Sequence, residues 1–174
     1  MEQRNWLEKY EVEAYVGKNS QYYIKNWGDH RTDKIKGVNV SALFFPTQWL
    51  GYRKMYVQLA FSYLFMVFAF LFGVTTYYVI GTFNPFVICV LSRILVGIYF
   101  AAFGNGIYRE KVLGCAQEHE IHCDEFMYKE FLKEKGRASI MAPVIITLFE
   151  LWLVNAFLIA VFEASANYIQ LMSY

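Results

Sequence analysis

Residues 85–107 read PFVICVLSRILVGIYFAAFGNGI, a run interrupted by a single charge, Arg93. At about 1.5 Å of rise per residue, a helix of this length crosses the roughly 30 Å hydrocarbon core of a bilayer. Pro85 suits the first turn of such a helix. Two further stretches share its character. Residues 57–80, VQLAFSYLFMVFAFLFGVTTYYVI, carry no charge, and residues 140–162, IMAPVIITLFELWLVNAFLIAVF, are broken only by Glu150 and Asn155. The sequence therefore predicts an all-α integral membrane protein with three transmembrane helices: a tight hairpin of 57–80 and 85–107, plus 140–162.

The rest of the chain fits that class. Of its 174 residues, 57% are hydrophobic, 20% aromatic and only 18% charged, and the mean hydropathy is +0.27. A soluble domain carries about a quarter charged residues. The charges that exist are concentrated in residues 1–54 and 109–137. A net charge of +1 leaves no strongly basic surface and argues against nucleic acid as a partner. The first forty residues contain no apolar core before a small-residue cleavage site, so they do not read as a secretory signal. Cys89, Cys115 and Cys123 are too few and too scattered for a disulfide framework.

Lysine and arginine set the direction. Arg53 and Lys54 directly precede the first span, and Arg109, Lys111, Lys129, Lys133, Lys135 and Arg137 lie between the second and third. The turn after the first span and the tail ASANYIQLMSY have no basic residue. The positive-inside rule then predicts a cytoplasmic, helical N-terminal region (1–40), a cytoplasmic helical loop (108–138) and an external tail (163–174). Tyr77, Tyr78 and Tyr168 would mark the outer interface, and Trp49, Tyr52, Tyr56 and Tyr108 the inner one. Residues 41–56 are apolar but too short to span and contain Pro46. They read as an amphipathic segment that is interfacial, re-entrant or docked on the bundle.

Arg93 and Glu150 are the costly residues, because a lone arginine at mid-bilayer costs at least about 2.5 kcal/mol. Counted from opposite ends of antiparallel helices, Arg93 lies about 12 Å and Glu150 about 15 Å from the outer boundary. Arg93, Gly97, Ala101 and Gly104 fall in one narrow arc, and small residues at that spacing admit a close neighbour. An intramembrane ion pair between Arg93 and Glu150 is predicted. Asn155 points away from Glu150 and needs another partner.

In the loop, Cys115, His119, His122 and Cys123 would share one face of a helix that continues the second span, with Gly136 as its stop. Thiolates and imidazoles suit zinc. However, Cys115 and Cys123 would be about 12 Å apart, so one ion could take His119 and at most one neighbour. No cofactor is therefore expected, with zinc as the alternative. VGKNS (residues 16–20) lacks the first glycine of a phosphate loop, and Asn19 or Ser20 reads better as a helix cap. HEIH (residues 119–122) is one residue short of a zincin motif. Nothing makes a case for an enzyme.

The stretches VGKNSQYYIKNW (16–27), VNVSALFFPTQWLGYRKMY (38–56) and FGNGIY (103–108) resemble the bacterial membrane proteins grouped as domain of unknown function 2628. The resemblance covers roughly residues 12–110. Its most specific block runs from Trp49 through Tyr52, Arg53, Lys54 and Tyr56. Asn39-Val40-Ser41-Ala42 departs from the family's usual Asn-Trp-Ala-Ala. The resemblance implies a small bacterial inner-membrane protein and supplies no activity. Arg93, Glu150 and the His/Cys cluster are outside its signature. The sequence favours a non-enzymatic accessory protein that binds a protein partner, or a second copy of itself, through its cytoplasmic face, with membrane lipid around its spans. An ion or solute pathway around Arg93 and Glu150 is the alternative. A metal- or pH-responsive regulator through His119 and His122 is a second.

Overall fold

The computed structural model describes residues 7–27, 37–80, 84–120 and 124–172, and all regular structure among them is helical. The chain runs through α1 (Lys9–Val16), a 3-10 turn (Gly17–Asn19), α2 (Ser20–Trp27), α3 (Val40–Phe44), α4 (Pro46–Tyr52), α5 (Tyr56–Ile80), α6 (Pro85–Glu120), α7 (Glu125–Gly136) and α8 (Met141–Met172). Local chemistry sets most of the boundaries. Glu8 and Glu11 form a reciprocal capping box at the start of α1, which Gly17 ends at a φ of 71°. Asn39 caps α3 by accepting from the Ala42 amide at 3.0 Å. Pro46 occupies the first turn of α4, and Asn84 accepts from the Phe86 amide just before Pro85 opens α6.

Three helices, α5, α6 and α8, are long and apolar enough to cross a membrane. Phe61, Phe68 and Phe72 on α5, Leu95 on α6, and Leu148, Leu151 and Trp152 on α8 are exposed, as lipid-facing side chains would be. Both long helices overrun the predicted spans. The helix of the second span continues past 107 to Glu120, as the reading of the loop expected, and α8 continues to Met172 through the segment read as a tail.

α5 and α6 pack on one another as a hairpin, but the small-residue face of α6 receives α3 rather than a spanning helix. A side chain at Gly97 would collide with the Leu43 carbonyl, and one at Gly104 would press on the Trp49 ring. The Asn39 amide donates to the Ala101 carbonyl at 2.9 Å. α4 then runs back between α6 and α8, so α8 meets the bundle largely through α4. Midway along α8, Phe157 packs near Phe70 and Phe86, with ring centroids 6.3 and 6.2 Å away.

At the other end of the molecule, α1 and α7 cover the last turns of α6. Gly136 sits so close to the Tyr15 backbone that no side chain would fit there. The buried Tyr128 hydroxyl donates to the Glu11 carboxylate and lies 3.2 Å from the Ala116 carbonyl. Gly136 is the last residue of α7.

Candidate functional site

Two polar centres lie along α6. The outer one is built on Glu150. Arg93 donates to it with both terminal nitrogens, Nη1 to Oε1 and Nη2 to Oε2, each at 3.0 Å. The paired geometry is the bidentate fork that suits a guanidinium to a carboxylate. Glu150 accepts three more bonds. The Thr47 hydroxyl donates at 2.7 Å, the Gln48 amide at 2.8 Å and the Tyr63 hydroxyl at 3.1 Å. Helices α4, α5 and α6 therefore all converge on one residue of α8. A carboxylate offers about four lone-pair sites, so protein donors fill it.

Sequence reasoning paired Arg93 with Glu150 but missed Thr47, Gln48 and Tyr63. The available signal was a short polar pair, Thr47-Gln48, directly after Pro46 in an otherwise apolar segment. Asn155 is exposed on α8 and makes no hydrogen bond among the described residues.

The inner centre surrounds Arg53 and Asn105. Asn105 is fully buried. It accepts from the Asn39 side chain at 3.1 Å, donates to the Gly37 carbonyl and the Tyr22 hydroxyl at 3.2 Å each, and its carbonyl takes the Trp27 indole N–H at 3.0 Å. This one residue ties α2 and the start of α3 to α6. Arg53 is 6% exposed. Its guanidinium lies 4.8 Å from the Tyr23 ring, 5.1 Å from Tyr52 and 5.0 Å from Tyr108. Cation–π attraction of this kind grows as the site is desolvated. Its Nη1 donates to the Tyr108 hydroxyl at 3.4 Å, while its buried Nε has no partner among the described residues.

Burial raises the Tyr23 phenol above its ordinary value against the opposing pull of Arg53. The Tyr15 phenol is pushed up to about 12, by burial first and the Cys115 thiol second. Lys111 reaches across from α6 to donate to the Arg53 and Lys54 carbonyls at 3.0 and 2.7 Å. Lys54, at a φ of 54°, turns the chain from α4 into α5.

The aromatic assignments need correction here. Trp49 and Tyr108 do not sit in a membrane-interface belt, because both are buried in the protein core around Arg53. Tyr52 is half-buried and its carbonyl accepts from the Ser139 amide at 3.0 Å, whereas Tyr56 is exposed at the start of α5. Spacing alone could not separate a ring that faces headgroups from one that faces a second short helix.

Of the candidate metal ligands, Cys115 is half-buried on α6. His119 lies within α6, but its side chain falls outside the described residues, as do His122 and Cys123 altogether.

The match to known proteins covers this same inner centre. The chain belongs to the family described as protein of unknown function (DUF2628). The family model matches residues 15–113, which takes in Arg53, the rings around it, Asn39, Asn105 and Arg93. It leaves Glu150 and all of α7 and α8 outside. No curated protein and no solved structure matches the chain.

Proposed function

We propose that this is a non-enzymatic, multi-pass protein of the bacterial inner membrane, an accessory subunit that binds a partner protein through its cytoplasmic face. The lysines and arginines flanking the spans support a cytoplasmic N-terminus and 108–138 loop, with the C-terminus outside. Fusions of a compartment-specific reporter to each end should report opposite sides. The same side for both would refute the topology.

The observation that carries the partner reading is on α7. Its inner face is buried through Tyr128 and Leu132, yet Phe126 and Met127 are 73% and 63% exposed. They line a groove of about 570 Å³ with Glu130, Lys133, Glu134 and Arg137. Large apolar side chains outside the spans, rimmed by both signs of charge, suit a partner presenting an apolar segment flanked by charges. A photo-crosslinking residue at position 127, in native membranes, should yield a discrete protein adduct that Phe126→Asp abolishes. The same probe at Glu13, on the exposed side of α1, should yield none. Lipid adducts alone, or a protein adduct indifferent to Phe126→Asp, would refute the reading.

The alternative of an ion or solute pathway is weaker on present geometry, since a carboxylate filled by Arg93, Thr47, Gln48 and Tyr63 has little capacity left for a passing cation.

A further inference from the structure

The inner centre opens onto a second groove, of about 560 Å³, lined by α2, residues 38–45, α4 and the first turn of α8. Its lining is amphipathic. Arg53 contributes a cation with Tyr23 and Tyr52 beside it, while Val38, Val40 and Phe45 form an apolar rim, each at least 60% exposed. Among the described residues, none neutralises the charge at Arg53. It makes no ion pair among the described residues, one of its donors has no partner, and the nearest other charge bound to its backbone is the cationic Lys111. Aromatic faces attract a guanidinium but do not satisfy its N–H donors, of which there are five.

The groove also sits at a defined level. α4 ends beside Ser139, the residue whose hydroxyl caps α8 by accepting from the Ala142 amide at 3.1 Å. The apolar run of α8 begins there, and on the membrane placement proposed above this is where headgroups give way to hydrocarbon.

We infer that this groove binds an anionic glycerophospholipid of the cytoplasmic leaflet, its phosphate held by Arg53 and its glycerol and upper acyl chain lying along Val38, Val40 and Phe45. A phosphate accepts from the planar fork of an arginine with two oxygens at once, and it supplies the countercharge the aromatic cage lacks. The exposed apolar rim distinguishes a lipid from free phosphate, which has no use for it. The inference depends on the membrane placement proposed above and not on the partner at α7. Loss of the crosslink from position 127 would leave it standing.

The test is native mass spectrometry of the full chain, released from detergent with dioleoylphosphatidylglycerol, dioleoylglycerol or inorganic phosphate. Phosphatidylglycerol should be retained at least tenfold more tightly than dioleoylglycerol, and inorganic phosphate should not be retained. Arg53→Gln should erase that tenfold preference. Val40→Glu, at an exposed position where Asn39 already favours helix, places a carboxylate on the rim and should also weaken retention at least tenfold. It decides the matter if Arg53→Gln fails to fold. Equal retention of the two lipids, or wild-type retention by Val40→Glu, would overturn the inference. Retention of inorganic phosphate as strong as that of phosphatidylglycerol would overturn the lipid assignment.

Discussion

Replacing Glu150 with leucine should destabilise the protein, and adding Arg93→Leu to that variant should restore part of the loss. The reasoning follows from what each substitution strands. Without Glu150, the Thr47, Gln48 and Tyr63 donors lose their shared acceptor, at about 1 kcal/mol each. Arg93 is also left with no partner among the described residues, which costs about 2.5 kcal/mol at the low end of insertion scales. The low end applies because a long basic side chain can snorkel toward the interface. Glu150→Leu should therefore cost about 5–6 kcal/mol by these increments. The double variant keeps the orphaned donors but has no stranded cation, so it should cost only about 3 kcal/mol. Arg93→Leu alone leaves the carboxylate its three neutral donors and should cost about 2 kcal/mol, since removing one member of a less buried pair falls below the 3–5 kcal/mol of a fully buried one. Reversible unfolding in mixed micelles with rising dodecyl sulfate, followed by circular dichroism, measures all three. A double variant less stable than Glu150→Leu would show that the two charges do not compensate one another.

Thr47→Val keeps shape while removing one donor to Glu150, and in the same unfolding assay should cost about 1 kcal/mol; no change would mean that bond is not formed. The glycines of α6 should rank by what a methyl meets: Gly97→Ala, which strikes the Leu43 carbonyl, should cost about 1–3 kcal/mol, whereas Gly114→Ala, which meets nothing within 4 Å, should stabilise α6 by about 1 kcal/mol. The reverse order would refute the docking of α3 on that face. Because the Tyr15 phenol is raised to about 12 in the folded chain and titrates near 10 when unfolded, its contribution is intact below pH 10 and is lost as pH rises through 12. Thermal unfolding across that window should show Tyr15→Phe losing less stability than the parent.

The spans were legible because a membrane-crossing helix needs a long, almost uncharged run, and α5, α6 and α8 are long and apolar enough to supply one. Arg93 and Glu150 were legible for a related reason. A charge in such a run needs compensation, and helical rise places both at one depth. What was not legible is the layer between them. The arc of Gly97, Ala101 and Gly104 announced a close neighbour without saying which, and the spanning helix was the natural candidate. The occupant is the five-residue α3, whose hydrophobic periodicity is too short to register. Trp49 and Tyr108 were misplaced for the same reason: aromatic rings beside a span have the composition of an interface belt, and only the return of α4 against α6 buries them.

That return has a backbone requirement which α6 meets. On the proposed membrane placement, α3 and α4 descend from the cytoplasmic side to the level of Arg93 and come back. Short helices at such a depth are tolerated only where their exposed amides and carbonyls find partners in protein. The Asn39 amide, ahead of α3, goes to the Ala101 carbonyl, and the Asn39 side chain, while capping α3, is itself held by Asn105. At the other end, the Arg53 and Lys54 carbonyls that close α4 take the ammonium of Lys111. Every one of these partners lies on α6, as does Arg93, which meets Glu150 beside the start of α4. On that placement α6 is the element that lets α3 and α4 enter the membrane and return, and its polar groups read as the complement of that segment's ends. Their spacing along the helix, Arg93, Ala101, Asn105 and Lys111, follows the path α3 and α4 take across it.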